Sequence, residues 1–200
     1  MGAAGGFVLA LVLALALGLA GWWPGSAAGG SPSSAAVSLP ARLGGYTRFA
    51  DIPKNQVPQA ASAVRNANVG DATTTAALSA AYRGAGAAVR TYGDDDLLTF
   101  FSVWVVRAGS PGLVVRFQDA EFLGLAVASR RVEDFGEVSC IVSYDPVIKG
   151  QPVREQATHT EQCQRSDAGM TVTVIAPTQD LAHRPREVAA LVNQVWGLVH

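Results

Sequence analysis

The chain has 200 residues, a formal net charge of −1, and 15 Lys and Arg against 16 Asp and Glu. This balance argues against nucleic acid as a partner, because nucleic-acid-binding proteins carry a basic patch or stripe. An export segment and a linker would leave roughly 160 residues, which suits one domain with a single core.

The first predicted element is a hydrophobic segment at residues 7–23. It has no charged side chain and consists mainly of Leu, Val and Ala. Its length is at the short end of what crosses a bilayer as a helix, and it is longer than most signal-peptide cores. Trp22 and Trp23 end the run, where indole rings favour the lipid headgroup level. Pro24 then stops the helix.

This segment has two possible fates. As an uncleaved anchor, residues 1–23 hold the protein on the membrane in a single pass. As a signal peptide, the segment is cleaved at small-residue sites near residues 18–20 or 26–28, and the protein is secreted. We predict the anchor, with residues 7–23 in contact with the membrane.

An uncharged linker follows the hydrophobic segment. Residues 24–38 are rich in Gly, Ser, Ala and Pro, a composition typical of flexible linkers. We predict that they tether one globular domain, residues 39–200, to the membrane.

The two cysteines indicate the compartment. Cys140 and Cys163 are the only ones in the chain, and an even pair suits a disulfide in an oxidising space. Two buried free thiols are the alternative. Zinc is excluded, since two cysteines without a histidine cluster cannot complete a tetrahedral site. We predict a Cys140–Cys163 disulfide and an extracytoplasmic domain.

The domain begins with a short strand or turn at residues 43–49, followed by a helical region at residues 57–82. In that region Asp71 is predicted to cap a helix, and a second helix is expected near residues 58–67. The capped helix runs through Thr74, Leu78, Ala81 and Tyr82.

From residue 87 onward, runs rich in Val, Thr, Phe and Tyr alternate with Gly, Pro and Asp, as in antiparallel strands joined by turns. In the last run, Thr171 and Thr173 face away from Val172 and Val174. The predicted strands lie in residues 88–92, 97–107, 113–117, 122–128, 137–144, 155–165 and 170–176.

The C-terminal helix has the clearest pattern. Pro185 fits the first helical position, and apolar residues then recur at helical spacing on one face. That face consists of Val188, Leu191, Val192, Val195, Trp196 and Val199. The order of helical segment, strands and covering helix predicts an α+β domain with an antiparallel sheet of about six or seven strands.

This element order resembles the layout of the Mog1/PsbP-like fold. The chain also resembles membrane-anchored extracytoplasmic proteins of actinobacteria. That resemblance rests on the Ala/Leu anchor, the tether, the cysteine pair with Cys163 followed by Gln164 and Arg165, and the ending VAALVNQVWGLV. It implies a bacterial, exported protein and brings no particular activity.

No catalytic, cofactor-binding or metal-binding residues are predicted. The sequence lacks a nucleophile-elbow G-x-S-x-G and a phosphate-binding G-x-x-x-x-G-K-[ST]. Residues 84–89 lack the last glycine of a dinucleotide loop and fit a helix-to-strand turn. Residues 94–96 lack the spacing of a calcium loop, and His159, His183 and His200 form no H-x-x-x-H pair.

We therefore predict a non-enzymatic, membrane-tethered domain with an interaction or envelope-associated role. An apolar-ligand or lipid-binding module is the first alternative, with a pocket lined by Phe100, Phe101, Trp104, Phe117 and Phe122. An enzyme of unrecognised type is the second, and it would need His159 close to Glu133 or Asp134. We interpret these two acidic residues, with Glu137, as part of a polar loop.

Overall fold

The computed structural model of the protein describes residues 31–52 and 60–200. The predicted membrane segment at residues 7–23 and the first part of the tether lie outside the described residues. Across the two described ranges, no helix has both the length and the apolar character that a membrane crossing requires.

The described chain has an α+β fold, in which eight strands form one antiparallel sheet. The strand order is β1-β2-β3-β4-β8-β7-β6-β5. The strands are β1 (Arg42–Leu43), β2 (Tyr46–Arg48), β3 (Ala87–Gly93), β4 (Phe100–Val106), β5 (Arg130–Phe135), β6 (Val138–Tyr144), β7 (Thr158–Ser166) and β8 (Thr171–Ile175). The helices are α1 (Ala60–Ala81), α2 (Gln179–Ala182) and α3 (Pro185–Val199), and 3-10 turns lie at Phe49–Asp51 and Glu155–Ala157.

The helix α3 covers one face of the sheet, as predicted. It begins at Pro185, and every apolar residue of the predicted stripe is buried. Below it, Val103 of β4 and Cys163 of β7 both lie opposite Val174 of β8. Directly opposed residues in antiparallel strands point to the same face. This face, the α3 face, holds the main core, and burying each large side chain contributes about 1.5–3 kcal/mol before entropy.

The helix α1 lies on the other face, the α1 face, where it also covers the exposed edge of β3. Thr75 Oγ1 accepts a hydrogen bond from Val89 N at 2.9 Å, and Asp71 accepts from Thr91 N at 2.9 Å. These bonds occupy strand N–H groups that β2 is too short to pair. An edge strand with unpaired N–H groups invites aggregation, so α1 protects the sheet as well as packing on it.

The prediction of Asp71 as a helix cap is wrong. The helix α1 begins at Ala60, so Asp71 lies within it and is 7% exposed. Alanine favours helix throughout this region, and the helix needs no new start at Asp71. The side chain points instead to β3, where it accepts hydrogen bonds from Thr91 N and Thr91 Oγ1.

Two predicted strands, at residues 113–117 and 122–128, are wrong. This region connects β4, which is already paired on both sides with β3 and β8, to β5 at the far edge of the sheet. It therefore crosses the domain without joining a ladder, and only Leu125 makes an isolated bridge, to Ile148.

The interpretation of Glu133, Asp134 and Glu137 as a loop is also wrong for the first two. They lie in β5, which pairs with β6 along its whole length. Edge strands accept charged side chains because one side remains open to water. With this strand and the hairpin β1–β2, the sheet has eight strands, more than the six or seven predicted.

The last residues of the predicted tether lie against the domain. Gly86 N donates to Ser33 O at 2.8 Å, and Ser33 N donates to Arg107 O at 3.0 Å. A Cβ atom at Gly86 would lie 1.8 Å from Ala35 O, so this close approach requires glycine. Val37 and Leu39 then pack against the main core.

Candidate functional site

A mixed-charge groove opens at the start of α3, beside the hairpin β5–β6. Its volume is about 550 Å³. Two sheet strands, the start of β7 and the α2–α3 junction form its walls. It is lined by Glu133, Phe135, Tyr144, Glu155, Thr158, His183, Arg184, Pro185, Arg186 and Glu187.

The sheet side of the groove is built around Tyr144. Its hydroxyl donates a hydrogen bond to Glu133 Oε1 and accepts one from Arg131 Nη2 at 3.1 Å. Arg131 also binds Glu133 Oε1 at 2.8 Å, and its guanidinium lies 5.0 Å from the centre of the Tyr144 ring. Alternation along β5 and β6 brings the three side chains to the α3 face.

Burial and the same contacts raise the pKa of Tyr144 above its ordinary value. Burial raises the pKa of Tyr144 to about 12, and the hydrogen bond to Glu133 and its negative charge act in the same direction. Arg131 opposes the shift without reversing it. At neutral pH the phenol is neutral, as an ordinary tyrosine is, and it donates the hydrogen bond to Glu133.

The helical side of the groove carries most of its charge. Arg184 binds Glu155 at 3.2 Å and Glu187 at 3.3 Å. Arg186 lies over the ring of Phe135, with 5.4 Å between the guanidinium carbon and the ring centre. Within residues 31–52 and 60–200, the structure gives Arg186 no ion pair, so its guanidinium is available to an anionic group.

His183 closes the end of the groove at the start of β7. Its Nδ1 atom lies 2.7 Å from Thr158 O, and because a carbonyl oxygen only accepts, Nδ1 carries the proton in this contact. The ring meets His159 edge to face, with 5.0 Å between ring centres. Nε2 of His183 makes no hydrogen bond with the described residues and is available to a ligand.

The predicted cysteine pair lies beneath this groove. Cys140 and Cys163 are directly opposite each other in β6 and β7, and their sulfur atoms are at disulfide distance. Each sulfur is 4.0 Å from Pro185 O. The pair therefore supports the first turn of α3, from which Arg184, Arg186 and Glu187 reach the groove.

The five aromatic residues predicted to line an apolar pocket lie apart. Phe101 is fully buried against Tyr46 and Tyr92, and Phe100 packs on Phe49. Trp104 is on the α1 face of the sheet, opposite Thr173. The remaining two, Phe117 and Phe122, are 86% and 85% exposed.

The enzyme alternative required His159 to lie close to Glu133 or Asp134, but these residues have other partners. His159 Nε2 lies 3.2 Å from Asp145 Oδ1, whereas Asp134 accepts from Ser139 and Glu133 binds Tyr144. His183, two elements further along the chain, is the histidine that shares the groove with Glu133.

The sequence analysis missed the groove because its parts are distant in the chain. Tyr144 was assigned to a strand without a role, and no role was given to Arg184 or Arg186. The sequence RRVEDF of β5 carries charged residues on both strand faces, so no alternation marked it as a strand. Recognising β5 would have placed Arg131 and Glu133 beside Tyr144.

No family model, curated protein or solved structure matches this chain. The resemblances stated from the sequence stay predictions, and the function has to be inferred from the chemistry of the groove.

Proposed function

We propose that the protein is a non-enzymatic binding domain, tethered to the membrane outside the cytoplasm, and that the mixed-charge groove is its binding site. One observation carries the proposal. The groove presents hydrogen-bonding groups on both walls, with Glu133 and Tyr144 on the sheet side and His183 and Arg186 on the helical side. A concave site with a few placed polar groups is typical of small-ligand binding.

The balance of charge favours a ligand that is itself polar and compact. The lining contains three glutamates and two arginines, and Arg131 adds a third cation through its bond to Tyr144. A polyanion would meet the glutamates, and a polycation would meet the arginines. A short peptide with one carboxylate fits better, because Arg186 can bind that carboxylate and Glu133 can accept from an amide.

The binding proposal is tested by titrating the full chain with N-acetyl-alanyl-alanine and recording amide and side-chain NMR signals. We expect signals of His183, Arg186 and Tyr144 to shift at millimolar ligand, and Arg186→Ala to abolish the shifts. The matched control is Arg116→Ala in the long β4–β5 connection, which should leave them unchanged. Equal shifts in Arg186→Ala and the parent would contradict the proposal.

The location is tested independently by alkylating thiols in intact cells that express the full chain. An extracytoplasmic Cys140–Cys163 disulfide predicts that neither cysteine reacts until a reductant is added. The location is wrong if both thiols react without reductant and the protein is recovered in the cytosol.

A further inference from the structure

A second, smaller groove lies on the α1 face, between α1 and the middle of the sheet. Its volume is about 180 Å³, well below the roughly 300–1,000 Å³ typical of pockets for drug-sized ligands. Among the described residues, none that lines it is charged. The lining consists of Leu78, Tyr82, Trp104, Val106, Ser110, Gln162, Gln164, Thr171, Thr173 and Ile175. We call it the neutral groove.

The register of the strands places an indole ring beside unused amide and hydroxyl groups. Trp104 lies opposite Thr173, and Gln164 lies opposite Thr173 on its other side. Gln162 lies opposite Ile175. Within the described ranges, the side chains of Trp104, Gln162 and Thr173 make no hydrogen bond. None of their polar atoms is among the fully buried, unpaired ones. Trp104 and Gln162 are half-buried, and Thr173 is 8% exposed, so a ligand in the groove could reach their polar groups at its wall.

The rim of the neutral groove is fixed by internal hydrogen bonds. The Tyr82 hydroxyl donates to Ser110 Oγ at 3.0 Å, and Gln164 Nε2 donates to Pro111 O at 3.0 Å. Thr171 Oγ1 donates to Ala108 O at 2.8 Å. A rim held in this way loses little conformational freedom when a ligand binds.

We propose that the neutral groove binds an uncharged saccharide, with one sugar ring on Trp104. The C–H face of a sugar ring packs on an aromatic face, and its hydroxyls pair with amide and hydroxyl groups such as those of Gln162 and Thr173. A charged ligand would lose water without gaining an ion pair. A wholly apolar ligand would leave those polar groups buried and unpaired, at a cost of about 1–3 kcal/mol each.

The neutral groove lies on the opposite face of the sheet from the mixed-charge groove. The saccharide proposal can therefore be tested independently of the proposed function. The probes are maltotriose, cellotriose and chitotriose, which are neutral and differ in stereochemistry and in the N-acetyl group. With the full chain, we expect at least one of them to shift the indole N–H signal of Trp104 at millimolar concentration.

Three variants test the residues. Gln162→Ala should weaken binding of that trisaccharide about tenfold, and Trp104→Ala should abolish it. Since Trp104→Ala removes a partly buried side chain, Trp104→Phe is added, which keeps an aromatic face and should retain weakened binding. The controls Gln156→Ala, in an exposed turn, and Arg186→Ala, in the mixed-charge groove, should bind as the parent does.

The inference is overturned if none of the three trisaccharides moves the Trp104 signal. It is equally overturned if Gln162→Ala and Trp104→Phe bind a trisaccharide as tightly as the parent chain.

Discussion

The two faces of the sheet differ in what covers them and in the groove that each leaves open. The α3 face is covered by an amphipathic helix over valines, aromatic residues and the cysteine pair, and its groove is charged. The α1 face carries threonine, serine and glutamine on β7 and β8, is covered mainly over β3 and β4, and its groove has no charge.

The difference shows that one sheet can carry a groove on each face while only one of the two faces is mainly apolar. Alternation along β8 sends Val172 and Val174 into the main core and Thr171 and Thr173 to the α1 face. The apolar face gives most of the hydrophobic stabilisation. On the α1 face, the Thr171 hydroxyl is paired with Ala108 O, and the glutamines Gln162 and Gln164 are half-buried.

The largest expected effect on stability comes from a substitution in α3, the helix that covers the α3 face. Trp196 is 8% exposed, stacks on His200, and lies under the Arg165 guanidinium at 4.4 Å. Trp196→Ala should lower the free energy of unfolding by about 3–5 kcal/mol, measured by urea denaturation of the full chain. Leu198→Ala, on the same helix but 58% exposed, should change it by less than about 0.5 kcal/mol. Equal effects of the two would mean that α3 does not cover the sheet.

The next effect removes the covalent link under α3. Cys140→Ser combined with Cys163→Ser should cost about 3 kcal/mol of stability, because the bridge closes a loop with a sequence separation of 23. Thermal melts in oxidising buffer measure it. The control is the parent protein with reductant, whose midpoint should fall toward that of the double variant. An unchanged midpoint in both would refute the disulfide.

A smaller effect tests the other face. Asp71→Ala removes the acceptor of two hydrogen bonds from Thr91, and we expect a loss of about 1.5–3 kcal/mol, the range for bonds to a charged group. Asp96→Ala, in the exposed turn between β3 and β4, is the matched control and should be neutral. If Asp71→Ala is also neutral in urea denaturation, α1 is not held to β3 in this way.

The smallest effect concerns alkaline pH. The pKa of Tyr92 and that of Tyr144 are both raised to about 12, primarily by burial. Folding therefore favours the neutral phenols. Their contribution to stability is complete below the unfolded pKa of about 10 and is lost as the pH rises toward 12.

Absorbance of phenolate follows this titration directly. The parent should show late ionisation of Tyr92 and Tyr144, with the pKa of Tyr46 also raised by burial, and Tyr144→Phe should remove one of the late-ionising groups. If all tyrosines ionise together near pH 10 while the domain stays folded, the groove does not shield Tyr144.

The sequence predicted the elements whose signals are local. The stripe on α3 and the alternation of β8 each depend on a few neighbouring residues, as does the turn at Asp167 between the predicted strands at residues 155–165 and 170–176. The Asp167 carboxylate indeed accepts from Gly169 N and Met170 N in the β7–β8 hairpin. Pairing of Cys140 with Cys163 also followed from their even number and from the interval between them in the chain.

The sequence could not predict what depends on the position of a strand in the sheet. The run at residues 113–117 has strand composition, yet it follows β4, which has no free edge. The polar run of β5 shows the opposite case. It lacks strand composition but forms a strand, because an edge position accommodates Arg131 and Glu133. The mixed-charge groove forms where β5 comes close to the start of α3. Predicting it therefore requires knowing that residues 113–117 are not a strand and that β5 is an edge strand.

The most direct test of the account applies one charged and one neutral probe to the same sample of the full chain. N-acetyl-alanyl-alanine should shift NMR signals of His183 and Arg186 and leave the Trp104 indole signal in place. A trisaccharide that binds should do the opposite. The account is contradicted if the dipeptide leaves the groove at the start of α3 unperturbed, or if both probes shift the same set of residues.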